Sequence, residues 1–230
     1  MNEFRNKTVI VTGAAGSLGQ ATVDYFSKSG ATVAQLDIVA ITPEPKSPHL
    51  TAICDLIDAD SCFSTVTDIL KRLGKVDVLA NIAGGFLMGD LVYQTTDQTW
   101  DFLIDLNAKT VLNMARVIVP QMLIQGSGKI VNIGARTGLH GASRMGAYTA
   151  SKSAVIRLTE AMAEELKNRH INVNCVLPSI IDTPRNRADM PNADFSNWVS
   201  PSAIAKVVGF LCSDAATPIH GVALPVSGLS

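Results

Sequence analysis

A chain of 230 residues with a formal charge of −1 and 17% charged side chains has room for one large α/β core. It has no charge surplus with which to hold a nucleic acid, a polyanion or an anionic membrane. No apolar run reaches the ~20 residues of a bilayer span, and "MNEFRNKTVIVTG" opens without a basic stretch leading into an apolar one, so a cytoplasmic protein acting on a small molecule is expected.

In chain order, apolar runs of strand length fall at 8–12 (TVIVT), 32–37 (TVAQLD), 50–54 (LTAIC), 76–81 (VDVLAN), 128–134 (GKIVNIG), 171–177 (INVNCVL) and 221–226 (GVALPV). They alternate with helix-period segments at about 17–29, 59–73, 97–125, 147–169 and 201–212. Alternation of this kind predicts one α/β domain over 1–230, a doubly wound parallel sheet of about seven strands buried on both faces. Between Asp37 and Leu50, "IVAITPEPKSPH" carries three prolines, which forbid a regular crossover helix and predict an irregular one. Cys54, Cys62, Cys175 and Cys212, like His49, His140, His170 and His220, are dispersed without ligand spacing. Buried thiols are expected and no metal is assigned.

The first strand runs into "TGAAGSLGQ". Gly13, Gly16 and Gly19 let backbone approach an anion closely, and the free N–H groups of Ser17, Leu18 and Gly19 at the helix start attract one. Asp37 closes the second strand about 20 residues later, where a carboxylate accepts hydrogen bonds from a ribose and repels a 2′-phosphate. The expected cofactor is NAD(H), with NADP(H) as the lesser choice.

On these residues the sequence resembles the short-chain dehydrogenase/reductase family along essentially its whole length. The glycine motif TGxxxGxG is matched at Thr12, Gly13 and Gly19, with Ser17 at the middle glycine and Gly16 one place earlier. The resemblance implies that Asp55 and Leu56 flank the adenine and that "NIAG" (Asn81, Ile82, Ala83, Gly84) stands for NNAG beside the cofactor. It also implies that "PSIIDT", beginning at Pro178, stands for PGxxxT, so that Ile181 and Thr183 touch the nicotinamide carboxamide or the pyrophosphate. Ser179 there departs from the family's glycine.

Tyr148 and Lys152 lie one helical turn apart on one face. A free phenol titrates near ~10, and a neighbouring ammonium is expected to lower it toward useful acid–base strength. By resemblance Tyr148 is the proton donor, Lys152 binds the ribose and modifies the tyrosine, and Asn107 links Lys152 to a water chain. The family's serine thirteen residues before the tyrosine is Ala135 here; Thr137 and Ser143 are out of register.

"GGF", "GARTG" and "DTPRNRADMPNADFSNW" (182–198) further resemble the dihydropteridine reductase branch, which has alanine at that position. This resemblance implies reduction of a quinonoid dihydropteridine or another conjugated cyclic imine, whose delocalised charge makes little demand on the missing donor. The alternatives are a carbonyl reductase or alcohol dehydrogenase of the 3-oxoacyl reductase type, and a non-catalytic dinucleotide sensor or scaffold. Segment 182–198 is either a substrate lid or a stretch pinned to the body by Met190, Phe195 and Trp198. The long helices near 97–125 and 147–169 resemble the family's assembly pair and imply a homodimer or homotetramer.

Overall fold

The computed structural model describes residues 2–42 and 48–230. Seven strands, β1 (Thr8–Thr12), β2 (Thr32–Asp37), β3 (Leu50–Ile53), β4 (Val78–Asn81), β5 (Gly128–Ile133), β6 (Ile171–Pro178) and β7 (Ala223–Val226), form one sheet in the order β3-β2-β1-β4-β5-β6-β7. Every pairing is parallel. β1 is buried along its whole length, because a central parallel strand is covered on both faces and alternates its side chains between two cores. Val9 and Val11 enter the core that holds Phe26, Ile204 and Val208; Ile10 enters the other, with Val66, Met114 and Ile118.

The covering helices are α1 (Ser17–Lys28), α2 (Ala59–Leu73), α3 (Asp97–Ile104), α4 (Thr110–Gln125), α5 (Gly146–Leu166), α6 (Pro184–Asp189) and α7 (Pro201–Cys212). α1 and α7 serve the first core, α2 and α4 the second. Local sequence sets their ends. Asp58 caps α2 by accepting from the Asp60 amide, and Gly74 closes it at φ +78°, a conformation that glycine adopts without a Cβ penalty.

Three expectations need correction. The helix expected over 97–125 is interrupted by a π-helical turn, Asp105–Lys109, which carries Asn107. The helix expected over 147–169 spans 146–166 and tightens into a 3-10 turn, Lys167–Arg169. The strands expected to begin at 76 and 221 begin two residues later, since Asp77 spends its carboxylate on the Thr8 amide and Gly221 sits at φ +69°. In the proline-rich crossover, residues 38–42 and 48–49 carry no helix; Pro43 and Pro45 lie outside the described residues. All four cysteines are buried and free. Among the described residues no helix is long and apolar enough to cross a membrane.

Candidate active site

Parallel strands put all their carboxyl ends on one edge, and the strand order reverses between β1 and β4, which opens a crevice there. Gly13 follows β1 at φ +64°, and a Cβ on it would stand 2.8 Å from the Ala83 Cα. A Cβ on Gly19 would stand 2.0 Å from the Gly13 carbonyl oxygen. Both glycines are therefore demanded by backbone closeness, whereas Gly16 has room for a side chain, its nearest neighbour being 3.4 Å away. Gly16 and Ser17 are exposed at the α1 start, which no side chain caps. The Thr12 hydroxyl accepts from the amides of Ile82 (3.0 Å) and Ala83 (3.2 Å), joining this turn to the segment after β4.

Asp37 accepts at Oδ2 from the Ala15 amide (2.9 Å) and at Oδ1 from the Val39 amide (3.3 Å). Its carboxylate thus stands against the glycine turn. Asp55 accepts from the Ile57 amide (3.0 Å). The carbonyls of the buried Leu56 and of Ile57 are each held at 3.0 Å by the side chain of Asn113 on α4, a buried residue that no sequence motif marked. Asn81 donates to Asn132 on β5 (2.8 Å), which donates to Thr159 on α5 (2.9 Å). This chain of bonds stitches strand ends to helix beneath the crevice.

On the other side of the switch point the π turn presents Asn107 inward. Its side chain makes reciprocal bonds with the Gly85 backbone (3.0 and 3.1 Å) and donates to the Ser151 hydroxyl (3.1 Å). A Cβ on Gly84 would fall 2.8 Å from Asn107 Oδ1 and 3.0 Å from Lys152 Nζ, so glycine is what lets these groups converge. Buried Lys152 donates to the Ile133 carbonyl (2.9 Å), and burial lowers its ammonium to about 8. Tyr148 meets Phe86 edge-on, with ring centroids 4.9 Å apart and planes at 88°. The expected lowering of its phenol is not found: burial pushes it up to about 12, and the Lys152 ammonium is turned to the Ile133 carbonyl. Ala135 is buried in extended backbone at the end of β5.

Pro178 ends β6. The Ser179 hydroxyl donates to the Ser227 carbonyl (2.8 Å), and Arg136 donates to the Ser230 carbonyl (2.8 Å), so both residues hold the segment after β7. Ile181 bridges to Val199 and Thr183 caps α6 through the Asn186 amide. In segment 182–198, Arg187 grips Asp182 (2.6 and 2.8 Å) and lies over the Phe195 ring, which tilts against the buried Trp198. Trp198 is buried beneath Phe195, while Met190 stays 36% exposed. A cavity of about 180 Å³ adjoins Tyr148 between the loop after β4 and the start of α5; a larger one of about 270 Å³, between β3 and α2, touches none of these groups.

The residues fit a nicotinamide dinucleotide: an uncapped helix start on a tight glycine turn, a carboxylate at the end of β2, and a buried lysine and asparagine converging on Gly84. Fold and site together define an NAD(P)-dependent oxidoreductase. The chain belongs to the short-chain dehydrogenase family, whose model matches residues 7–194. It is 30% identical to a 3-oxoacyl-(acyl-carrier-protein) reductase of Thermotoga maritima, over 98% of each chain. It is 33% identical to an NAD-dependent glycerol dehydrogenase of Listeria innocua, over 97% of this chain and 93% of the relative. Among solved structures, levodione reductase superposes with a TM-score of 0.90 at 25% identity, covering 98% of this chain and 97% of that one. Carveol dehydrogenase from Mycobacterium avium, in complex with NAD, superposes with a TM-score of 0.88 at 27% identity, covering 98% of each.

Proposed function

We propose that the protein is an NADH-preferring carbonyl reductase or secondary-alcohol dehydrogenase of small oxo compounds. The observation that carries it is the convergence of Asn107 and Lys152 on Gly84, one turn of α5 from Tyr148. When bound, the dinucleotide supplies or accepts the hydride at the substrate carbon. Tyr148, protonated throughout the neutral range, hydrogen-bonds the carbonyl oxygen and gives it the proton. Lys152 binds the ribose, and Asn107, itself fixed by Gly85 and Ser151, links it to a water chain. Asp37 takes the adenosine ribose, and Asp55, Leu56, Ile181 and Thr183 line the two ends of the cofactor. Segment 182–198 covers the substrate. Exposed Trp100, Phe102 and Leu112 on α3 and α4 support assembly as a homodimer or homotetramer.

The expected quinonoid pterin finds no support in the relatives above, whose names pair oxo groups with alcohols, and the carbonyl reading displaces it. Ala135 then leaves the developing alkoxide one donor short, a loss of about 10²-fold or more at an oxyanion site. An NADH-oxidation panel of simple ketones, a 3-oxoacyl thioester, quinones and quinonoid dihydropterin tests the reading, run on the unmodified enzyme and on Ala135→Ser. Ketones should be reduced, and the restored serine should raise their kcat/KM by about 10²-fold. An enzyme that ignores every ketone and reduces the pterin alone would return the assignment to the pterin branch.

A further inference from the structure

The cavity beside Tyr148 has three walls: first the irregular segment 85–91 after β4, then Arg144 and Met145 with the start of α5, and last Thr99 and Leu103 of α3; Leu87, Met88, Leu103 and Met145 are among its apolar lining. The first wall and Val92, which follows it, are fastened to α5 and the segment before it at three successive points. Phe86 packs on Tyr148, and both backbone groups of Gly89 bond to Arg144: the Arg144 carbonyl accepts from the Gly89 amide (3.1 Å), and its guanidinium Nη1 donates to the Gly89 carbonyl (2.9 Å). Val92 closes on Gly146, where a Cβ would meet its Cγ2 at 2.7 Å.

Arg144 sits at φ +60°, the left-handed region, where a residue other than glycine is strained and persists only when its surroundings hold it there. Glycine would meet the backbone demand without strain. What arginine adds is the second bond, which turns one contact into a two-point clasp on a segment without regular structure. At about 180 Å³, the cavity so fixed is smaller than the ~300–1,000 Å³ typical of sites for drug-sized molecules.

We propose that Arg144 is a specificity-determining residue: by tying Gly89 to the start of α5 it fixes the width of the cavity beside Tyr148 and restricts the substrate to compact carbonyl compounds. The proposal rests on the carbonyl reading above. Its role is positioning. Arg144 acts through the 85–91 wall, while Tyr148 carries the proton.

The test compares cyclohexanone with 4-phenylcyclohexanone at saturating NADH, in the unmodified enzyme, Arg144→Gly and Arg144→Lys. Arg144→Gly relieves the strained backbone, so its melting temperature should not fall far. Its KM for cyclohexanone should rise several-fold more than its kcat falls, and the bulky-to-compact ratio of kcat/KM should rise about tenfold, with Arg144→Lys intermediate. Amide hydrogen exchange over 85–91 should quicken in Arg144→Gly. A ratio unchanged within about twofold, or exchange unchanged over 85–91, overturns the proposal. Should neither ketone be reduced, the carbonyl reading fails, and the clasp is then judged by exchange and by calorimetric binding of the same ketones to the NADH complex. An unchanged binding ratio there counts against it equally.

Discussion

Lys152 is 4% exposed, and burial lowers its ammonium from 10.5 to about 8. Below about pH 8 both folded and unfolded chains hold the proton, and the full penalty for burying the charge is present. Between about 8 and 10.5 the folded chain has released a proton that the unfolded chain still binds, so stability rises with pH; above 10.5 the gain is complete. A gap of about 2.5 pH units, at about 1.4 kcal/mol each, makes the penalty about 3 kcal/mol. Lys152→Met removes the charge and also the bond to the Ile133 carbonyl, whose unmet desolvation costs about 1–2 kcal/mol. The variant should be inactive, yet more stable than the parent by about 1–2 kcal/mol at pH 7, a melting temperature higher by about 2–8 °C. Above pH 10.5 it should be the less stable of the two. Urea unfolding of both proteins at fixed ionic strength, from pH 7 to pH 10.5, gives the difference directly, and titrating groups that do not interact with Lys152 cancel in it. A difference that stays flat across that range would refute the account of Lys152 as a charge held at a cost.

Three further outcomes are expected. Tyr148→Phe should lower kcat for ketone reduction by about 10²–10⁴ and leave NADH binding nearly unchanged; undiminished turnover in stopped-flow assays would mean that another acid serves. Asp37→Ala should narrow the preference for NADH over NADPH by about tenfold in kcat/KM, since it removes both a ribose acceptor and a charge opposed to the 2′-phosphate. Gly19→Ala, whose Cβ would stand 2.0 Å from the Gly13 carbonyl, should lose about 3 kcal/mol in urea unfolding, whereas Gly16→Ala should lose less than about 1 kcal/mol.

The parallel sheet was legible because strands covered on both faces read as unbroken apolar runs, as TVIVT does. Tyr148, Lys152, Asp37 and the glycines stood out by spacing, and Asn107 by the family resemblance alone. What spacing does not carry is the direction in which a side chain points. Lys152 turns its ammonium to Ile133, and the phenol beside it is governed by burial. The π turn was invisible because DLNAK suits a regular helix equally well, and its extra residue answers to the tertiary demand that Asn107 face Gly85. Nothing marks Arg144 as left-handed, since arginine has no turn preference. Ala135 and the 182–198 segment drew the substrate expectation toward pterins, a reading that rested on a few local matches and that the relatives' names do not support.

The helical run from α3 through the π turn into α4 has one more consequence. Asn107 reaches the loop after β4, and Asn113 reaches the loop after β3. Six residues apart, they are separated by about 9 Å along the axis and lie on different sides of one rod. That rod is a gauge: it sets how far apart the two loops stand, and on the proposed reading those loops would bracket the dinucleotide from its two ends. Slip or rotation of α4 would misplace both brackets together, so cofactor affinity should vanish in a single step as α4 loosens rather than fade one end at a time.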